Sequence, residues 1–152
     1  MKKVFLLVCL FIVLGVGPLF AATAGSCTVS QTYIDNAQFI QVITWSCTTN
    51  SADGTVPSTF ASAKVTGWVF NVDLTVSGSI PPTSSGAVTF IDSGSGNDVM
   101  GGTCTVGTTT SRCAPAKSGW VNGTLTPGFG SDNFGNSKAF TMKAWLWHQK
   151  TY

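Results

Sequence analysis

Glutamate is absent from this sequence, histidine occurs once, at His148, and charged residues fill only 9% of positions, against about 25% in typical soluble domains. Each shortage excludes a class of function. Nucleic-acid binding needs a basic footprint to neutralise phosphates, and electrostatic attachment to a membrane surface needs a comparable cluster; the sequence has neither. The common hydrolytic chemistries need a nucleophile beside a base, or two carboxylates in different protonation states. One histidine and six aspartates are a thin inventory for that purpose. A glycosidase pair made of Asp92 and Asp98 would also lack the usual glutamate acid. The chain therefore reads as non-enzymatic, with no cofactor. Sustained helical periodicity is missing as well: helix formers are scarce while Thr, Val, Ser and Gly abound, which predicts an all-β protein.

The first residues carry a different signal. Met1-Lys2-Lys3 precedes the apolar run VFLLVCLFIVLGVGPLF and the small-residue stretch AATAG, the three parts of a secretory signal peptide spanning residues 1–24 with cleavage after Ala24. A transmembrane anchor fits less well, because Gly15, Gly17 and Pro18 interrupt the run and no basic stop-transfer flank follows. A lipid anchor on Cys27 lacks the leucine-like residue expected three positions upstream. The membrane is thus met only during export. Residues 25–152 have the size of one domain. The formal charge of +2 comes from Lys2 and Lys3, since the remainder holds six basic residues (Lys64, Arg112, Lys117, Lys138, Lys143, Lys150) against six aspartates. A near-neutral exported chain has little long-range repulsion to keep copies apart.

Of the five cysteines, Cys9 belongs to the leader. Cys27, Cys47, Cys104 and Cys113 remain, an even number in an exported chain, which predicts a disulfide framework. Pairing Cys27 with Cys47 and Cys104 with Cys113 is favoured, because each pair flanks its own local segment. Zinc is the weaker reading: no C-x-x-C spacing is present and His148 is distant in sequence.

Strand signals recur along the domain. In KVTGWVFNVDLTVS, Trp68, Phe70, Val72, Leu74 and Val76 alternate with Val69, Asn71, Asp73 and Thr75, which predicts that the first set faces inward. QFIQVITWSC places Phe39, Ile43, Trp45 and Cys47 on one side and Ile40 and Val42 on the other. KAFTMKAWLWHQ alternates Phe140, Met142, Ala144 and Leu146 with Thr141, Lys143, Trp145 and Trp147. With CTVSQTY, GAVTFID, VMGGTCTV and GWVNGTLTP the count reaches about seven antiparallel strands. Turn-rich segments at 52–54, 78–86, 93–98 and 127–137 separate them. This pattern predicts a compact sandwich or jelly-roll-like domain.

Two places invite a functional reading. Within IDSGSGNDVMGG, residues 91–102, SGSGND matches the calcium-binding repeat core G-G-x-G-x-D except that Ser93 replaces the first glycine; backbone carbonyls at the glycines and the side chains of Asp92, Asn97 and Asp98 are the candidate oxygen donors. Such repeats share ions between successive coils and this chain has one copy. The stronger expectation is a tight turn in which Asp92 and Asp98 cap backbone donors and glycine supplies positive φ. The second place is the last strand, where Trp145 and Trp147 lie opposite Phe140 and Leu146. If that side is exposed, it can anchor a protein partner or stack on sugars.

The ordered series Trp45 to Gly54, VTGWVFNVDL, Pro81-Pro82-Thr83, AVTFID, DVMGG and VNGTLTP resembles a group of small β-rich virion structural proteins of tailed phages and prophages. The resemblance extends over Ile43 to Leu146. It implies that Pro82, Thr83, Asp92, Gly96, Asp98, Val99, Gly101 and Gly102 form a strand-turn-strand scaffold, and that the protein is a structural subunit. The combined expectation is an exported, disulfide-stabilised β domain serving a phage-derived or cell-surface assembly, with other protein subunits, including copies of itself, as partners. A carbohydrate-binding or adhesive module that holds polysaccharide on the same tryptophans is the second expectation, and a calcium-binding β domain the third.

Overall fold

A computed structural model describes residues 22–34, 39–102, 104–115, 119–130 and 132–148. Most of the predicted leader, residues 1–21, lies outside the described residues. The fold is all-β. Among the described residues there are nine strands and no helix: β1 (Ser26–Tyr33), β2 (Ile40–Thr48), β3 (Val65–Val76), β4 (Gly86–Asp92), β5 (Cys104–Val106), β6 (Ser111–Cys113), β7 (Trp120–Gly123), β8 (Leu125–Gly128) and β9 (Ala139–His148). They form two antiparallel sheets. The larger runs β1-β2-β9-β3, with β6 and β7 sharing the far edge of β3; the smaller runs β5-β4-β8.

Period-two alternation builds the core between these layers. Phe140, Met142, Ala144 and Leu146 of β9 face inward and are buried, as their spacing predicts, and Ile43, Trp45 and Cys47 of β2 join them. Val88 and Phe90 of β4 close the core from the other sheet, and the Trp45 and Phe90 rings meet at 5.5 Å. Burying an indole requires a partner for its N–H; Trp45 Nε1 donates to the Phe60 carbonyl at 2.8 Å. The segment 127–137, read from sequence as a turn, also supplies core. Phe129 and Phe134 are buried and pack against Phe140 at 6.0 and 5.4 Å.

The structure corrects the sequence reading in three places. The first is the phase of β3. Val69 pairs with Leu146 and Asn71 with the adjacent Trp145, which leaves Phe70 without a partner as a β-bulge. One inserted residue inverts the faces on either side of it. Val65, Val69, Val72 and Leu74 therefore point inward while Trp68 and Phe70 are exposed. The second is the strand count, nine where about seven were expected. The run at 120–128 is two strands in different sheets, since β7 pairs with β3 and β8 with β4. Two serines clamp the crossover: Ser93 exchanges both backbone bonds with Thr124 through its N–H (2.9 Å) and Oγ (2.8 Å), and Ser62 does the same for Leu125 (2.9 and 2.8 Å). β6 is the other addition.

The third concerns the cysteines. Cys27 and Cys47 face each other across β1 and β2 and are bridged, with an S–S distance of 2.01 Å. Cys104 and Cys113 are neighbouring free thiols, not the second bridge that local pairing predicts. They sit on strands of different sheets, β5 and β6, and so are not register partners. Burial pushes the Cys104 thiol far above its ordinary value, and the Cys113 thiol and the Asp98 carboxylate push it the same way.

Candidate functional site

The turn after β4 is built by its aspartates. Asp92 is 1% exposed. Its carboxylate accepts the N–H groups of Gly94 (3.2 Å), Ser95 (3.0 Å) and Asn122 (3.3 Å), so it ties the turn to β7. Asp98 accepts from Phe90 (3.0 Å), Met100 (3.1 Å) and Gly102 (3.1 Å). Asn97 is exposed, and its N–H donates to the Ser95 hydroxyl at 3.3 Å. Gly96, with φ of 71°, takes the left-handed conformation that closes the loop. The two carboxylates are thus engaged in backbone capping. Among the described residues no group of three His, Cys, Asp or Glu side chains converges on a common point.

The outer face of the large sheet is different. Trp147 pairs in register with Trp68 on one side and Ile40 on the other, and Trp68 pairs in turn with Trp120. One row of large apolar side chains therefore crosses four strands, β7-β3-β9-β2. A second row lies beside it: Phe70 in the bulge, Trp145 of β9 and, in register with Trp145, Val42 of β2. Trp147 is 61% exposed, Trp68 49% and Phe70 40%, while Trp120, Trp145 and Ile40 are half-buried. The Trp68 and Trp120 rings are 5.1 Å apart and tilted by 60°, and Phe70 meets Trp147 edge-on at 6.0 Å and 86°. Gly67 allows the backbones to approach beneath this row, since a Cβ there would overlap the Trp147 carbonyl oxygen.

Trp145 is held by a polar network. Asp73 accepts from Trp145 Nε1 at 2.8 Å, from Asn71 Nδ2 at 3.0 Å and from Arg112 Nε at 2.7 Å. Partial desolvation pushes the Asp73 carboxyl up. The hydrogen bonds from Asn71, Arg112 and Trp145, together with the Arg112 charge, outweigh it and hold the group below its ordinary value. Around the network lies an open cleft of about 410 Å³ lined by Asp73, Arg112, Lys143 and Trp145 with Thr75, Thr110 and Ser111. Toward the opposite end of the same face, a hollow of about 520 Å³ is lined mainly by hydroxyl side chains, among them Thr28, Ser46, Thr75 and Thr141.

Of the residues singled out in the sequence, Trp145 and Trp147 do share the outer face, and Asp92, Asn97 and Asp98 lie together in the turn. The sequence marks Trp68 and Trp120 as aromatics that begin strands after glycine but does not place them on the outer face, and its alternation assigns Trp68 and Phe70 to the inner side because the bulge in β3 has no local sequence mark. His148 packs edge-on to Tyr33 with ring centroids 5.3 Å apart. The chain matches no family model, no curated protein and no solved structure.

Proposed function

We propose that this protein is an exported, non-enzymatic structural subunit of a phage-derived or cell-surface assembly, and that it binds neighbouring protein subunits through the aromatic outer face of its large sheet. The observation that carries this reading is the row Trp120, Trp68 and Trp147 across three adjacent strands, flanked by Phe70, in which Trp68, Phe70 and Trp147 are exposed and Trp120 is half-buried. A contiguous exposed apolar patch is unusual on a soluble monomer and marks an interaction surface. Trp and Phe at such positions act as anchors that fill pockets of a partner. The tilts of 60° and 86° between neighbouring rings favour a protein partner with relief of its own over a flat saccharide surface, which stacks best on rings sharing a plane. The cross-strand disulfide is compatible with an oxidising, exported environment.

The polar cleft favours a second reading, a saccharide-binding module, because Trp145 is fixed beside hydrogen-bonding groups from Asp73, Arg112 and Lys143. Light scattering of the oxidised protein over a concentration series separates the two. Concentration-dependent association that weakens in the Trp68→Ala/Trp147→Ala variant, with melting unchanged, supports the assembly role. A protein that stays monomeric and is retained on immobilised polysaccharide reverses the order.

A further inference from the structure

The open edges of the two sheets are treated unequally. β5 and β6 are three residues long, and β6 carries Arg112; β7 and β8 are four residues long, and β8 contains Pro127. Short length, a charged side chain and a proline each keep an edge strand from recruiting another chain. β1 has none of these. Its eight residues, SCTVSQTY, include no charge and no proline. It pairs with β2 residue by residue from Ser26↔Thr48 to Tyr33↔Gln41 without a bulge, and the Cys27–Cys47 bridge ties it down. Among the described residues no strand pairs with its other side. The loop before β3 reaches it through one side chain, Gln31, which accepts the Ala63 N–H at 2.7 Å. Among the described residues, a bulge-free, anchored row of backbone donors and acceptors is thus left without a partner strand.

We propose that β1 is a self-association seam, where two copies of this chain pair their β1 strands antiparallel about a two-fold axis and continue the large sheet from one molecule into the next. An antiparallel strand pair is self-complementary under two-fold rotation, and an isologous contact of this kind closes on itself. With the axis through Ser30, Thr28 falls opposite Thr32 of the second copy, Val29 opposite Gln31, and Cys27 opposite Tyr33. Outward residues then meet outward residues and inward meet inward. No like charges are brought together, because β1 has none. The outer-face row Thr75, Thr141, Ser46 and Thr28, in register across β3, β9, β2 and β1, runs up to the seam and is met there by hydroxyl residues of the second copy. The seam uses backbone groups of β1 and no aromatic of the outer face, so it stands or falls apart from the function proposed above.

Sedimentation velocity of the exported, oxidised protein in the Trp68→Ala/Trp147→Ala background, where the aromatic face is removed, isolates the seam. The expected result is a dimer that becomes monomeric when Ser30→Lys is added, since the axis sets the two new ammonium groups against each other at an exposed position away from the core. Melting at a dilution where both proteins are monomeric should be unchanged. Ser30→Cys in the same background should give a covalent dimer that reductant separates. A protein that is monomeric in this background, or a dimer that survives Ser30→Lys, overturns the proposal.

Discussion

Single aspartates in this chain hold backbone in place, and their tasks separate cleanly. Removing Asp92 strands three N–H donors, those of Gly94, Ser95 and Asn122, at a position only 1% exposed. Asp92→Ala should therefore cost about 2–4 kcal/mol in denaturant unfolding. Melting in calcium and in chelator should give the same midpoint, because the carboxylate oxygens are already engaged by backbone; a rise with calcium would restore the metal reading of the turn. Asp73 acts on the outer face. A carboxyl held below its ordinary value on folding stabilises the native state above the unfolded value, and the contribution is lost as pH falls through the folded one. Acidification below about pH 4 should thus release Trp145 and Arg112. The Trp145 indole N–H resonance should move in that range, and Asp73→Asn should abolish the movement. Trp147, at 61% exposure, should tolerate alanine within about 0.5 kcal/mol of wild-type stability.

Individual strands differ in how far they can be read from sequence. The alternation in β9 is strict and separates its two sides correctly, because no bulge interrupts its pairing with β2; the sequence leaves undecided whether the Trp145 and Trp147 side is open. In β3 the same rule assigns Trp68 and Phe70 to the core, and only the pairing with β9 reveals the unpaired Phe70. Periodicity also hides the break at Thr124, where the chain leaves one sheet for the other, since apolar residues continue on both sides of it. The turn residues Asp92 and Asp98 were legible because capping is local; the aromatic row was not, because it is assembled from three strands distant in sequence. Deleting Phe70 tests the account of β3. The deletion leaves Val69, Val72 and Leu74 on the inner side, so the protein should still unfold cooperatively; collapse of the fold would show that the bulge does more than set the phase. For β1, replacing Cys27 and Cys47 by serine should lower stability by about 3 kcal/mol, the value for a loop of this length closed over a sequence separation of 20.

As a whole molecule, the protein joins a well-packed interior to an outer surface divided in two. One end of the large sheet presents Trp68, Phe70 and Trp147, and the other presents serine and threonine. Six basic residues balance six aspartates over residues 25–152, so little net charge there would oppose contact between copies. The proposed role as an exported, non-enzymatic subunit makes the sandwich a scaffold and the aromatic face the place where it would meet its neighbours. Hydroxyl-radical footprinting at low and high protein concentration, read by mass spectrometry, follows that face side chain by side chain. Trp68, Phe70 and Trp147 should be oxidised in dilute protein and protected once it associates, while exposed residues of the 93–97 turn remain labelled throughout. Association that leaves those three rings as reactive as before would place the contact elsewhere and contradict the reading.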